Sequence, residues 1–215
     1  EDETIASLIG KYVYYRVDAD GYEIREATLA EVEAHFADRR PAAPQFPNRD
    51  LTITTFRPLD DIGFDESNAF GVKTTNLATL RTFGFAAGVV PNGFGLPFYF
   101  YDEFMKHNDF YAQAQAMLAD PQFQTDTETR DDDLKDFRND LKDGEMPEWM
   151  MDALQELHDS FPADTTIRTR SSTNNEDLPG FSGAGLYDSY THYLDGPPVQ
   201  VDRAGLRQLV ELLRL

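Results

Sequence analysis

The chain has 215 residues, 40% hydrophobic and 13% aromatic, enough to bury a sizeable core and too rich in core formers for general disorder. Lys and Arg number 19 against 39 Asp and Glu, a net charge of −20 that repels a phosphate backbone and argues against nucleic-acid binding as the main task. With no cysteine there is no disulfide, no thiolate metal site and no Cys nucleophile.

The opening residues 12–17 and 22–25 read as two strands of a hairpin around Asp18-Ala19-Asp20-Gly21. Thr28-Leu29-Ala30-Glu31 fits a capping box, starting a helix that runs to about Arg39, and Pro41, Pro44 and Pro47 end it. Residues 51–56 alternate as a strand would, and 57–68 read as a connector with a soft domain boundary. Beyond Gly71, the spacing of Leu77, Leu80 and Phe83 predicts a helix closed by Gly84. Residues 93–98 read as a buried strand; 101–106, 110–118, 134–141 and 149–157 carry helical patterns. Residues 165–169 predict a strand, 171–189 a long Gly/Ser/Asn/Asp loop, and 203–213 an amphipathic helix. Mixed in this way, the elements imply an α+β or α/β fold. The most apolar window, 84–101, is broken by Pro91, Asn92 and Pro97 and cannot be a membrane-spanning helix.

Charge is unevenly placed. From Asp120 to Asp159 there are fourteen acidic and four basic side chains, net −10, whereas Ser67 to His107 holds Lys73, Arg81 and Lys106 against Asp102 and Glu103, net +1. An anion prefers the second stretch. There, Phe70-Gly71-Val72-Lys73-Thr74-Thr75-Asn76-Leu77 sets a glycine and a lone lysine at a helix start, where backbone amides and an ammonium can share an anion's charge. On this segment alone, a helix start with a solvated Lys is the favoured reading.

A second segment runs Arg168-Thr169-Arg170-Ser171-Ser172-Thr173-Asn174-Asn175-Glu176-Asp177, then Ser182-Gly183-Ala184-Gly185. Strand alternation puts Arg168 and Arg170 on one face, two guanidinium forks at the strand end suited to a phosphate. The loop beyond offers Gly amides and hydroxyls, although no G-x-x-x-x-G-K-[ST] occurs and the third Gly of a dinucleotide fingerprint is missing. Against this stands a surface loop whose Glu176 and Asp177 pair with the two arginines.

The two segments, in this order, resemble the N-terminal nucleotide-binding domain of the pyruvate phosphate dikinase and phosphoenolpyruvate synthase family, also called the PEP/pyruvate-binding domain, and the matching part of glucan water dikinases. The family's G-G-K-x-x-N-L-x-x-L followed by V-P-x-G-F is met by Gly71 to Leu80 with Pro91, Gly93 and Phe94, except that Val72 replaces the second Gly. Its R-S-S-x-x-x-E-D-L-x-x-x-S-x-A-G is met by Arg170 to Gly185. The resemblance covers residues 64–215, leaving 1–63 as an extension without a functional account.

The resemblance implies an α+β chain: the N-terminal half of an ATP-grasp-like domain preceded by a small hairpin and helix extension, with ATP and Mg²⁺ as ligands. By position, Lys73 would neutralise the ATP phosphates, Arg170 would stabilise the phosphoryl group in flight and Arg168 would assist. Ser182, Gly183, Ala184 and Gly185 would wrap the polyphosphate, and Glu176 with Asp177 would position the Arg or a metal-bound water. In such dikinases the β-phosphoryl of ATP goes to a histidine on a separate domain, leaving AMP. None of His35, His107, His158 and His192 has the family's acceptor context, so the phosphohistidine domain and a second ATP-grasp half are expected as partners in a longer protein. The expected compartment is the cytoplasm, with export after leader removal as the alternative. The rival function is a non-catalytic binding module that docks a partner through the acidic 120–159 face.

Other candidates carry less. Asp131-Asp132-Asp133 lacks the spacing of a Ca²⁺ loop and reads as a solvated helix start, Phe98-Tyr99-Phe100-Tyr101 as core packing, and Trp149 with Met146, Met150 and Met151 as a helix face.

Overall fold

A computed structural model describes residues 3–39, 45–162, 165–175, 177–178, 181–183 and 189–193. They combine helices with small two-stranded sheets in an α+β arrangement. The chain divides into two compact units, one comprising Glu1–Gln45 with Pro179–Phe181, the other Phe46–Leu178 with Ser182–Leu215.

In the first unit, a short helix α1 (Glu3–Ala6) precedes the hairpin β1 (Val13–Asp18) and β2 (Gly21–Glu26), in register from Val13↔Glu26 to Asp18↔Gly21. The Asp18 carboxylate accepts from the Asp20 N–H at 3.0 Å, closing the turn locally. Helix α2 (Leu29–Arg39) starts with the expected box: the Thr28 N–H donates to Glu31 at 2.9 Å and the Glu31 N–H donates to the Thr28 hydroxyl at 3.2 Å. Hydrogen bonds from Arg25, then from Thr28, hold the Glu31 carboxyl at about 2.

The second unit opens with an extended segment. Residues 51–56 alternate in burial only as far as Thr54 and join no sheet, contrary to the strand reading; Arg57–Pro58 (β3) makes a ladder with Phe94–Gly95 (β4). The alternation records half-burial against neighbouring side chains, which an extended chain achieves without a partner strand. The helices α3 (Ser67–Phe70) and α4 (Val72–Arg81) follow, separated by Gly71. In α4 the buried positions are Thr75 and Ala78, whereas Leu80 and Phe83, read above as its apolar stripe, are exposed.

The expected strand over 93–98 shrinks to β4, because Pro97 in extended conformation already caps α5 (Phe98–His107). A Cβ on Gly95 would overlap Ile62, Thr74 and Phe70, so β4 sits against α4 as closely as backbone allows. Then come α6 (Phe110–Ala119), α7 (Pro121–Thr125), α8 (Thr127–Asp143) and α9 (Glu148–Asp159). Helix α7 went unread, although Asp120 caps it through the Gln122 N–H and Pro121 stands at its first turn. Asp131 to Asp133 lie inside α8, past its start, which Asp126 caps. The main core gathers Phe100, Phe104, Met105, Phe110, Leu141 and Met150, and Phe100 meets Trp149 edge to face at 5.3 Å. A second cluster of Leu59, Ile62, Ala69, Phe70 and Ala78 underlies α3 and α4.

The strand β5 (Thr166–Arg170) pairs antiparallel with β8 (Ser189–Tyr193), from Thr166↔Tyr193 to Arg170↔Ser189. Between them lie Asp177–Leu178 (β6) and Phe181–Ser182 (β7). The region read as one long loop therefore contains strands. The helix expected over 203–213 lies outside the described residues. Among the described residues no helix is long and apolar enough to cross a membrane.

One buried polar cluster links α5 and α6. Asp102, 4% exposed, accepts from the Tyr111 hydroxyl at 2.8 Å and pairs with Lys106 at 2.7 Å, while Arg49 donates to Tyr111 at 3.0 Å. Burial works to raise the Asp102 carboxyl, but Lys106 and Tyr111 outweigh it and hold it below its ordinary value. Its contribution to stability is thus present above the ordinary carboxyl range and lost as pH falls through the lowered value. Burial pushes the Tyr111 phenol up to about 12, Arg49 opposing and Asp102 assisting. That contribution is complete below the ordinary phenol value and is lost as pH rises toward about 12. An ultraviolet-difference titration should therefore resolve one tyrosine ionising near pH 12 and lose that step in Tyr111→Phe. A wild-type profile identical to the variant's would contradict the burial of this phenol.

Candidate functional site

The two motif segments meet in one contact. In β5, Ile167 and Thr169 are buried while Arg168 and Arg170 are exposed, so both guanidinium groups stand on one face as the alternation requires. The pattern continues beyond the strand: Ser171 is buried and Ser172, on the arginine side by alternation, is half-buried.

Ser172 Oγ donates to the Phe70 carbonyl at 2.7 Å and accepts from the Thr74 N–H at 3.0 Å. The next residue adds a backbone bond, the Val72 N–H donating to the Thr173 carbonyl at 3.3 Å. A serine about a hundred residues downstream thus caps α4, whose own Ncap, Gly71, has no side chain to do so.

Gly71 has φ +79°, and a Cβ there would fall inside the backbone carbonyl and hydroxyl of Ser172. Only glycine fits. The sequence reading gave this glycine and the first amides of α4 to an anion. The structure gives the space at Gly71 to Ser172, and the Val72 and Thr74 amides to the loop after β5. Two of the first amides of α4 are thereby already bonded within the protein. Val72, standing where the family motif has glycine, has an exposed side chain.

Arg81 grips Asp60 at 2.5 and 2.8 Å and donates to the Pro91 carbonyl at 2.8 Å, and Lys106 pairs with Asp102 and Glu103. Lys73, half-buried, sits between Val72 and Thr74, the residues whose amides hold the β5 loop. Arg170, the last residue of β5, lies two residues before Ser172, at most about 7 Å along the backbone. The contact therefore brings the backbone positions of Lys73 and Arg170 to one junction, with Arg168 a further strand repeat away.

The remaining predicted site residues are only partly placed. Asp177 lies in β6 and Ser182 in β7, Gly183 is buried, and Glu176, Ala184 and Gly185 lie outside the described residues. Among the described residues no group of three His, Asp or Glu side chains could hold a metal ion. His158 pairs with Asp159 at 3.0 Å, and His35 packs edge-on against Phe36.

The sequence places Ser172 in the motif that follows Arg170 but assigns it no role. The alternation of Ser172 with Arg168 and Arg170 was the available signal. Sequence reasoning missed Asn174 entirely, whose side-chain amide donates to the Asn48 carbonyl at 2.7 Å across 126 residues.

A comparison with protein families supports the same grouping of motifs. Residues 67–198 match the model of the pyruvate phosphate dikinase AMP/ATP-binding domain. That match spans more than half of the chain, which belongs to this family. No curated protein and no solved structure gave a significant match.

Loss of the bridging hydroxyl should be measurable. Ser172→Ala strands the Thr74 N–H and the Phe70 carbonyl and should lower unfolding stability by about 1–3 kcal/mol in urea, read at Trp149. Gly71→Ala should cost more, since strain and overlap add. Midpoints equal to wild type in both would mean that the contact does not form in solution.

Proposed function

We propose that this chain is the ATP-binding part of a dikinase-type phosphotransferase and that Lys73 and Arg170 hold the nucleotide's polyphosphate, with Arg168 as an auxiliary contact. The observation that carries this reading is the Ser172 bridge, which seats the arginine-bearing strand end on the lysine-bearing start of α4. Family membership supports the nucleotide. We read the fold as the N-terminal half of an ATP-grasp-like domain, residues 64–215, with 1–63 as an extension.

A triphosphate needs dispersed positive charge more than covalent chemistry, and phosphoryl transfer depends on positioning and neutralisation. The donor set at the junction fits it: an ammonium on a helix start and two forked guanidinium groups on one strand face. Lys73 neutralises phosphate oxygens as a compact charge, and Arg170 holds the group in flight with two parallel donors. ATP supplies the β-phosphoryl group that passes to a histidine of a separate domain. In this reading the loop of Ser182, Gly183, Ala184 and Gly185 would wrap the polyphosphate, and Glu176 with Asp177 would position the Arg or a metal-bound water, as the resemblance implies. The described residues offer no cluster for Mg²⁺, so no step here runs through it.

A second reading has one observation of its own. Helix α8 buries only Leu141 and carries seven carboxylates, a face suited to docking a basic partner without any nucleotide.

Titration of the full chain with ATP should raise its melting temperature. Lys73→Ala and Arg170→Ala should each weaken ATP binding by about tenfold or more, and Arg168→Ala by less, in calorimetric titrations. Equal affinity in wild type and both single variants would contradict the assignment. Salt-sensitive partner capture with no ATP-induced shift would favour the acidic-face module instead.

A further inference from the structure

Three consecutive residues of the extended segment each reach a different part of the second unit. The Asn48 carbonyl accepts from the Asn174 side chain at 2.7 Å, in the loop that follows Arg170. Arg49 donates to Tyr111 at 3.0 Å and lies 3.8 Å from the Asp102 carboxylate, so its guanidinium is anchored to α5 and α6. The Asp50 N–H donates to the Asn68 carbonyl at 2.7 Å, in the short helix that leads into Gly71. Asp50 further stiffens the segment by accepting from the Thr52 N–H at 2.9 Å and its hydroxyl at 2.7 Å.

The anchor differs in strength from the contacts it holds. Asp102 is buried, faces Tyr111 and Arg49 through Oδ1 and Lys106 through Oδ2, and sits on a helix whose neighbours form the main core. A charge-assisted network built on a buried carboxylate holds through several partners and moves less than the single amide bonds on either side of it. The rigid end is α5 and α6; the end held in place is the junction.

We infer that residues 48–50 form a strap, pinned by Arg49 to Asp102 and Tyr111, that sets the position of the β5 loop against the start of α4. Arg49 and Asp102 are positioning residues: neither belongs to the predicted phosphate contacts, and both act through Asn48 and Asn174. The strap itself requires no ligand. Its consequence for affinity rests on the nucleotide reading given above.

The reporters are the Val72 and Thr74 amides, which are bonded directly to Thr173 and Ser172. In site-resolved hydrogen exchange of the full chain, Arg49→Ala should speed both by about fivefold or more while leaving amides of α8 unchanged. Arg49→Lys keeps a cation within reach of Tyr111 and Asp102 and should restore exchange to within about twofold of wild type. Asn174→Ala should reproduce the Arg49→Ala effect, and the double variant should exceed the larger single effect by less than about twofold. Should Arg49→Ala fail to fold, Tyr111→Phe, which removes only the hydroxyl, carries the same comparison. Unchanged Val72 and Thr74 exchange in these variants, or additive effects of the two sites, would overturn the strap. ATP affinity should fall about fivefold in Arg49→Ala and recover in Arg49→Lys. Altered exchange with unaltered affinity would overturn the positioning role. Altered exchange in the variants, together with a wild-type chain that binds no ATP, would uphold the strap and remove the nucleotide reading alone.

Discussion

The Ser172 hydroxyl is the point on which the geometry of the second unit turns. It donates to the last carbonyl of α3 and accepts from an amide in the first turn of α4, satisfying one group of each polarity at a helix break. Neither bond can form unless residue 71 has no side chain, and neither segment has an equivalent local partner. A strand end and a helix start separated by about a hundred residues are thereby fixed in one relation. Everything proposed about Lys73 and Arg170 follows from that relation.

The electrostatics are consistent with such a junction. A chain of net charge −20 repels polyanions as a whole, so an anion site must be local and must outweigh the field. Most other cations of the second unit's first half are neutralised in place: Arg57 by Glu66, Arg81 by Asp60, Lys106 by Asp102 and Glu103. These pairs serve packing and register. Arg168 and Arg170 stand exposed on one face of β5, Lys73 lies half-buried at the start of α4, and acidic α8 faces solvent.

What could be read from the residues was whatever depends on near neighbours. The hairpin, the Thr28 and Glu31 box and the long helices came through because their signals span two to four residues. Arg168 and Arg170 share a face because a strand has period two, whatever lies opposite. The errors share a cause of the other kind. Residues 51–54 alternate without pairing, 93–98 are apolar yet mostly lead into α5, and β8 pairs with β5 across a polar stretch that reads as loop. Whether an extended segment finds a partner is decided by tertiary contacts. The same holds at the site: the motif glycine was correctly singled out, but its purpose, room for Ser172, lies in a residue that no local pattern connects to it.

The central claim is that one ammonium and one guanidinium act on a common polyphosphate, and a double-mutant cycle reads that coupling directly. Inorganic triphosphate binding would be measured by calorimetry for wild type, Lys73→Ala, Arg170→Ala and the double variant. The account predicts that each single change weakens binding and that the two losses are non-additive by at least about 0.5 kcal/mol, since neighbouring charges share one ligand. Strictly additive losses, or binding that survives both substitutions unchanged, would contradict it.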